Sequence, residues 1–388
     1  MKPIVIIGSG HGGLTTAREI RQLDKNIEII IISKEQVCAY YKPNLSKALA
    51  MKKSVDQLVM KTADRLENDL DVITYSYTNV AHIDTKENEL CVMGLEGEQK
   101  IGYSSLVLAM GASPNNLPII GDAKDEIVTV NSLDDYVIFR EKIKNNTRVL
   151  IIGAGFVGCE LASDLVSSQY HVDIVDLSQW PMQRMVPKEI GDAIPSSFPN
   201  GSSKWHMNTS VVKVSKSDDA IDVHLSNGKK VSVDVVVSAA GLSPNCDLAF
   251  DSGIKVCGGI GVDEYLRTNI ENVYAIGDCA EINGNYLPFI SPATHSAKAL
   301  AKTILGNSTK LQIPGLDVAI KISTCPIVVS PSLKKTGRWV TTGKEGNFIS
   351  RFVADDGGIL GFAISGLMIT HKNTLAQECI AANSLKTL

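Results

Sequence analysis

An α/β protein is what this sequence predicts, with two parallel-sheet domains of one design and a small α+β domain closing the chain. Three observations lead there. An apolar strand, a glycine turn and a helix open the chain as PIVIIGSGHGGLTTAREI. The same unit returns as RVLIIGAGFVGCELASDL at 148–165. From roughly residue 313 the character changes to Pro/Ser-rich turns (CPIVVSPSLKK), a strand pair within RWVTTGKEGNFISRFVADDGGILGFAISG, and a closing helix.

The length of 388 residues is enough for two or three domains with their own cores. Apolar residues make up 44% and charged residues 21%, the balance of a soluble α/β chain. A net charge of −4 excludes the concentrated basic surface of a nucleic-acid binder. The opening apolar run ends in a glycine turn, so it reads as a strand and not as a signal peptide. The comparable run IEIIIIS at 27–33 is too short to span a bilayer. A cytoplasmic protein without membrane insertion is the expectation. The eight cysteines, at 38, 91, 159, 246, 257, 279, 325 and 379, make no CxxC or CxxxxC pair and no zinc spacing. They read as reduced thiols, mostly buried, and no metal site is expected.

Each strand–turn–helix copy has three glycines with three jobs. Gly8 and Gly153 permit the tight turn, Gly10 and Gly155 let the backbone approach a pyrophosphate, and Gly13 and Gly158 let helix and strand pack closely. The helix N-terminus then presents free N–H groups and a partial positive charge to the phosphates. Ser9, His11 and Gly12 complete the first turn; Phe156 and Val157 complete the second. Two copies about 145 residues apart, each after an apolar strand, predict two Rossmann-like dinucleotide sites.

The segments LENDLDVITYSYTNVAHIDTKENEL and EQKIGYSSLVLAMGASP read as meander strands, as does SSKWHMNTSVVKVSKSDDAIDVHLSNGKKVSVDVVVSAAGLSPN after the second copy. NVYAIGDCAEI then returns as a buried strand ending in Gly277-Asp278, before a helix starting near Ser291. Gly-Asp after an apolar strand places the Asp278 carboxylate at the ligand edge of a sheet.

The second copy also selects its ligand. HVDIVD ends at Asp176, where an acid accepts hydrogen bonds from the adenosine ribose 2′-hydroxyl and repels a 2′-phosphate. No arginine stands among Leu177, Ser178 and Gln179, so NADH is favoured over NADPH. In the first copy the equivalent strand runs into Ser33, Lys34 and Glu35. Ser33 or Glu35 could bond the ribose, and Lys34 could flank the adenine or the phosphates.

GSGHGG, LVLAMGASP (106–114), GAGFVGCELA, VVSAAGLSPN (236–245) and NVYAIGDCAEI stand in the order found in FAD-dependent pyridine-nucleotide oxidoreductases, and essentially the whole chain resembles that family. YYKPNLSKAL (40–49) resembles the Y-x-K-P-x-L-S segment of bacterial rubredoxin reductases and flavorubredoxin reductases. VAIKISTCPIVVSP (318–331) is similar to their C-terminal V-x-V-K-T-P-x-x-P-L segment. The resemblance implies a glutathione-reductase-type fold. Residues 1–115 and 241–312 would form an FAD domain, 116–240 an inserted NAD domain, and 313–388 the C-terminal domain. It implies that Asp278 bonds the ribityl chain and that Lys42, beside Pro43, reaches the flavin or its phosphates. Val80 would lie near the adenine, Ala109 and Gly111 would line the FAD site, and Ile290 would lie beside the ring. Lys321 would approach the flavin from the C-terminal domain. Glu160 would sit near ring and nicotinamide, and Gly241 would line the NAD site. As plain alternatives, Glu160 and Lys321 could be partners in surface salt bridges. The chain departs from the family at 190–208, where two prolines and a Gly-Ser run interrupt a usual helix, and at Ile322-Ser323, which replaces Thr-Pro. His11 is also unusual and reads most simply as an exposed loop histidine.

Hydride transfer needs no acid or base, so none is nominated. A cation such as Lys42 or Lys321 would offset negative charge developing on the ring. Related disulfide reductases place a cysteine pair near this stretch. Here Cys38 stands alone, Cys159 lies in a packed helix, and Cys279 has no neighbour in sequence to pair with. The electrons would then leave to a separate carrier, and the resemblance names rubredoxin, a small acidic iron protein. Lys42, Lys47, Lys52, Lys53, Lys334, Lys335 and Arg338 could form a complementary rim. Three other functions compete: a ferredoxin or flavorubredoxin reductase, a single-cysteine peroxidase, NADH oxidase or coenzyme A disulfide reductase using Cys38, and a flavin-holding sensor without turnover.

Overall fold

The computed structural model describes residues 2–95, 97–143, 147–332 and 336–383. They fall into two compact units. The first comprises Met1–Tyr41, Asp56–Ser113 and Leu242–Ile313. Its parallel sheet has the order Val273–Ala275, Ser105–Leu108, Ile4–Ile7, Ile29–Ile32, Ile73–Tyr75. IVII and IIII are buried at every position. Unbroken apolar runs of this kind suit strands covered on both faces, where alternation would place polar groups in the core. Two helices supply cover. His11–Leu23 buries Gly13, Ala17 and Ile20, and Ile290–Ile304 buries Ala293, Ala297, Leu300 and Ala301, each at helical spacing.

The expected meander is narrower than the sequence suggested. Asn79–Asp84, Glu89–Gly94 and Gly97–Gly102 do form a three-stranded antiparallel sheet. LENDL, however, is the end of a helix, Ala63–Leu70, because its apolar residues recur at helical and not at alternating spacing. Ile73–Tyr75 and Ser105–Leu108 join the parallel sheet instead.

The second unit comprises Lys42–Val55, Pro114–Gly241 and Pro314–Leu388. Its parallel sheet repeats the design, in the order Val128–Thr129, Val235–Ser238, Arg148–Ile152, His171–Val175, Ser203–His206. Here too the flanks of the expected meander, Ser203–His206 and Val235–Ser238, belong to the parallel sheet. The meander proper is Val211–Ser217, Ala220–Leu225 and Lys230–Val233. The interrupted stretch after residue 190 is still helical over Lys188–Ser197, with Pro195 in the last turn. The C-terminal region carries five antiparallel strands where a single pair was expected, in the order Val318–Ile320, Ile327–Ser330, Ile359–Ser365, Asn347–Val353, Arg338–Lys344. Leu375 and Cys379 of the closing helix, Lys372–Asn383, pack on Phe362 and Ile364 of that sheet. Among the described residues no helix is long and apolar enough to cross a membrane.

Candidate functional site: two glycine turns and a carboxylate-clamped segment

The first turn sits at the carboxyl end of the central strand Ile4–Ile7. Gly8 adopts φ +113°, and a Cβ there would stand 2.2 Å from the Ala109 carbonyl oxygen. A Cβ on Gly13 would stand 2.0 Å from the Gly8 oxygen. These two glycines are required by backbone packing. Gly10 is different: a Cβ there would meet nothing within 4 Å. It caps helix His11–Leu23 with no side-chain hydrogen bond, and no acidic residue stands in the first turn. Its side of the turn is therefore an open cradle lined by N–H donors without a side-chain acceptor, which fits a diphosphate.

Most other first-copy candidates gather at the same edge, the carboxyl ends of the parallel strands. The Ser33 hydroxyl accepts from Ser9 Oγ at 3.2 Å and from the Glu35 N–H at 3.2 Å, which binds the glycine turn to the end of the second strand. Lys34 beside it is exposed. Ala109 and Gly111 follow the strand Ser105–Leu108, and Asp278 lies in the tight turn Gly277–Cys279 after Val273–Ala275. Ile290 opens helix Ile290–Ile304. The Tyr286 hydroxyl, in reach of the Asp278 field, is buried without a hydrogen-bond partner among the described residues, and burial pushes it up to about 12. Val80 is the exception: its side chain is buried in the hydrophobic core, so only its backbone could meet an adenine. His11 is not an exposed loop residue. It is the first residue of the helix, half-buried, with Nε2 at 2.8 Å from Thr294 Oγ1.

The second turn repeats the geometry. Gly153 has φ +109° and a would-be Cβ 2.4 Å from the Ala239 oxygen. A Cβ on Gly158 would stand 1.9 Å from the Gly153 oxygen, and one on Gly155 would meet nothing within 4 Å. Gly155 also lacks a side-chain cap, and the helix that follows opens with a half-buried Phe156 and an exposed Val157. Asp176 accepts from the Ala154 N–H at 2.6 Å and from the Ser178 N–H at 2.6 Å. Its carboxylate is thereby aimed across the glycine turn, with a further lone pair on each oxygen for a ribose hydroxyl. Gly241, at φ +93°, accepts from the Asn115 N–H at 3.1 Å on the neighbouring loop.

The remaining candidates meet in the second unit. Helix Phe156–Ser167 presents two buried carboxylates one turn apart. Glu160 Oε2 accepts from Ser46 Oγ at 2.5 Å and Oε1 from the Lys321 N–H at 2.9 Å. Asp164 accepts from the N–H groups of Leu49 at 3.1 Å and Ala50 at 2.7 Å. Lys321 Nζ donates to the Pro43 carbonyl at 2.6 Å, Lys42 Nζ to Asn131 Oδ1 at 2.8 Å, and Arg140 to the Lys53 carbonyl at 3.1 Å. Neither Glu160 nor Lys321 stands on the open surface: Glu160 is 8% exposed and Lys321 half-buried. Burial lowers the Lys321 ammonium, partly offset by Glu160 and reinforced by Lys47. The segment that bears the Y-x-K-P-x-L-S pattern is thus clamped along its length. Ser46, Asn131, Asp164 and Thr294 escaped the sequence reading. Only Asp164 left a trace, as an acid four residues after Glu160 on one helix face.

Asp164 is 4% exposed, and burial raises it to about 6 from 3.8 against the pull of its two N–H donors. A carboxyl raised on folding favours the native state below its unfolded value and loses that contribution as pH rises through the folded one. Wild type should therefore gain roughly 1 kcal/mol on Asp164→Asn between pH 7.5 and pH 5. Urea unfolding of both proteins at each pH measures it. A difference that stays constant, or shrinks toward acid, contradicts the assignment.

None of the eight cysteines forms a disulfide. Cys38 is 5% exposed. Cys279 donates to the carbonyls of Leu108 and Ile276, and burial pushes its thiol up to about 12, far from a thiolate at neutral pH. Of the basic rim, Lys42, Lys52 and Arg338 are exposed and Lys47 and Lys53 partly so, whereas Lys334 and Lys335 lie outside the described residues.

Two glycine turns of this geometry, each on its own parallel sheet, define a protein of the two-dinucleotide oxidoreductase class. Residues 2–299 match the model of the pyridine nucleotide-disulphide oxidoreductase family, and the chain belongs to that family. Residues 310–379 match the rubredoxin binding C-terminal domain. The chain is 40% identical over 372 residues to a rubredoxin-NAD(+) reductase of Acinetobacter baylyi, covering 94% of each, and 34% identical to one of Alcanivorax borkumensis, covering 97% of this chain and 98% of the relative. Among solved structures it is similar to a ferredoxin reductase of Rhodopseudomonas palustris, with a TM-score of 0.86 and 25% identity, covering 96% of this chain and 93% of that one.

Proposed function

We propose that this protein is an NADH-dependent flavoprotein reductase that passes electrons from NADH through FAD, one at a time, to rubredoxin or a rubredoxin domain. One observation carries the reading: a rubredoxin-binding module at 310–379 follows two dinucleotide turns on the same chain. The domain roles follow, with residues 1–115 and 241–312 for FAD, 116–240 for NADH and 313–388 for the acceptor. Bound FAD supplies the conversion of a hydride pair into single electrons. The chain's own work is to bind and orient. Gly8–Gly13 cradle the FAD diphosphate, Ser33 or Glu35 takes its ribose, and Asp278 takes the ribityl chain. Gly153, Gly155 and Gly158 cradle the NADH diphosphate, and Asp176 takes the 2′-hydroxyl. Lys42, Pro43, Glu160 and Lys321 keep the roles that the resemblance gives them. The absence of a CxxC or CxxxxC pair agrees with an acceptor outside the chain. A small acidic carrier would meet the lysine rim, and a cytoplasmic setting suits both cofactors.

The test is rapid mixing with NADH or NADPH, then with purified rubredoxin. NADH should bleach the flavin at least about tenfold faster than NADPH, since a 2′-phosphate beside Asp176 costs more than 1.4 kcal/mol. Rubredoxin iron absorbance should then fall. Fast bleaching with an unchanged iron signal would move the acceptor elsewhere and return Cys38 as a candidate.

A further inference from the structure

We propose that His11 is a positioning residue for FAD, acting through Thr294 to hold the pyrophosphate turn at a fixed distance from the first turn of helix Ile290–Ile304. The proposal rests on the first glycine turn being the FAD site. His11 Nε2 stands 2.8 Å from Thr294 Oγ1. The Thr294 hydroxyl donates its own hydrogen to the Ile290 carbonyl at 2.9 Å. Its oxygen can therefore only accept from the imidazole, which places a proton on Nε2. Burial and the Arg18 guanidinium lower the imidazole below its ordinary value, and the Asp278 carboxylate opposes them in part. The ring is neutral at pH 7, with Nδ1 left as an acceptor.

The bridge runs from His11 to Thr294 to the Ile290 carbonyl and joins two helix starts. Helix His11–Leu23 begins at Gly10 and helix Ile290–Ile304 at Phe289, and neither has a side-chain cap. Each leaves first-turn N–H groups without a side-chain acceptor. A bound dinucleotide would meet one set at its diphosphate and the other beside the ring, so their separation sets how well both are satisfied together. Thr294 alone could not fix it, since its hydroxyl bonds within its own helix. The imidazole makes the link between helices.

The rate of FAD release, read as free-flavin fluorescence from the holoprotein, tests the bridge without turnover. His11→Leu and Thr294→Val should each accelerate release roughly three- to tenfold, the effect of one buried hydrogen bond. The double variant should release no faster than the quicker single one, because both break the same link. His11→Gln, which keeps a donor, should restore much of the retention. Wild-type release from His11→Leu, or two effects that multiply in the double variant, would overturn the proposal. Should His11→Leu not fold, Thr294→Val and His11→Gln still decide it, since an unchanged Thr294→Val overturns it equally. Gly10→Ala separates the two levels. If it weakens retention while His11→Leu does not, only the bridge fails. If neither affects retention, the FAD assignment of this turn fails as well.

Discussion

Gly8→Ala should leave almost no folded, flavin-loaded protein, whereas Gly10→Ala should fold normally and lose FAD. Both changes add one methyl group to the same turn. At Gly8 it enters at φ +113° and 2.2 Å from the Ala109 carbonyl oxygen. The backbone strain alone costs about 1–3 kcal/mol. The overlap cannot be relieved by a rotamer, because the neighbour is backbone, on the residue directly after a strand paired to Ile4–Ile7 and itself bonded to the Ile7 carbonyl. Parting those strands opens the centre of the buried sheet, against a total stability of about 5–15 kcal/mol. At Gly10 the methyl group meets no protein atom within 4 Å. It occupies the space through which a diphosphate must approach, so apoprotein stability should be unchanged and FAD affinity should fall at least about tenfold. Soluble yield, thermal midpoint and flavin content per chain measure all of this. A stable, yellow Gly8→Ala protein would contradict the packing account, and full flavin content in Gly10→Ala would contradict the cradle.

The second large effect should come from Asp176→Ala, with kcat/KM for NADH falling about 10–100-fold and that for NADPH falling far less, because relief of the repulsion on its 2′-phosphate offsets the shared loss of the turn's brace. Two losses combine. The ribose 2′-hydroxyl loses its acceptor, and the Ala154 N–H, on a residue 1% exposed, loses a 2.6 Å bond inside the glycine turn. A buried donor left unsatisfied costs about 1–3 kcal/mol. Asp176→Asn keeps one acceptor oxygen and should recover part of the rate. Equal losses for both nucleotides would mean that Asp176 only braces the turn and does not choose the cofactor.

The glycine turns were legible because their requirements are local. A glycine that must pass under a carbonyl, or leave room for a phosphate, leaves a one-residue mark at a fixed spacing after an apolar strand. The parallel strands showed the same directness, since burial on both faces forces unbroken runs such as IVII and IIII. Local reading misjudged stretches where one pattern serves two structures. LENDL is short and half-apolar, so its helix emerged only with its N-terminal neighbours included. Five C-terminal strands were read as a pair because short apolar runs such as IVVS carry no periodicity of their own.

The sequence by itself determined the two glycine turns, the acid at the strand end at position 176 and the lack of a cysteine pair, all of which depend on neighbours along the chain. Tertiary structure alone decided how the segment from Lys42 is held. Glu160 reaches a serine 114 residues away, and Lys321 a carbonyl 278 residues away. His11 likewise finds Thr294 across 283 residues. Such bonds leave no spacing in the sequence, because their geometry exists only after the sheets have brought distant helix ends together. The same distance explains why a glutamate and a lysine whose plain alternative was a surface salt bridge are a buried acceptor and a half-buried clamp.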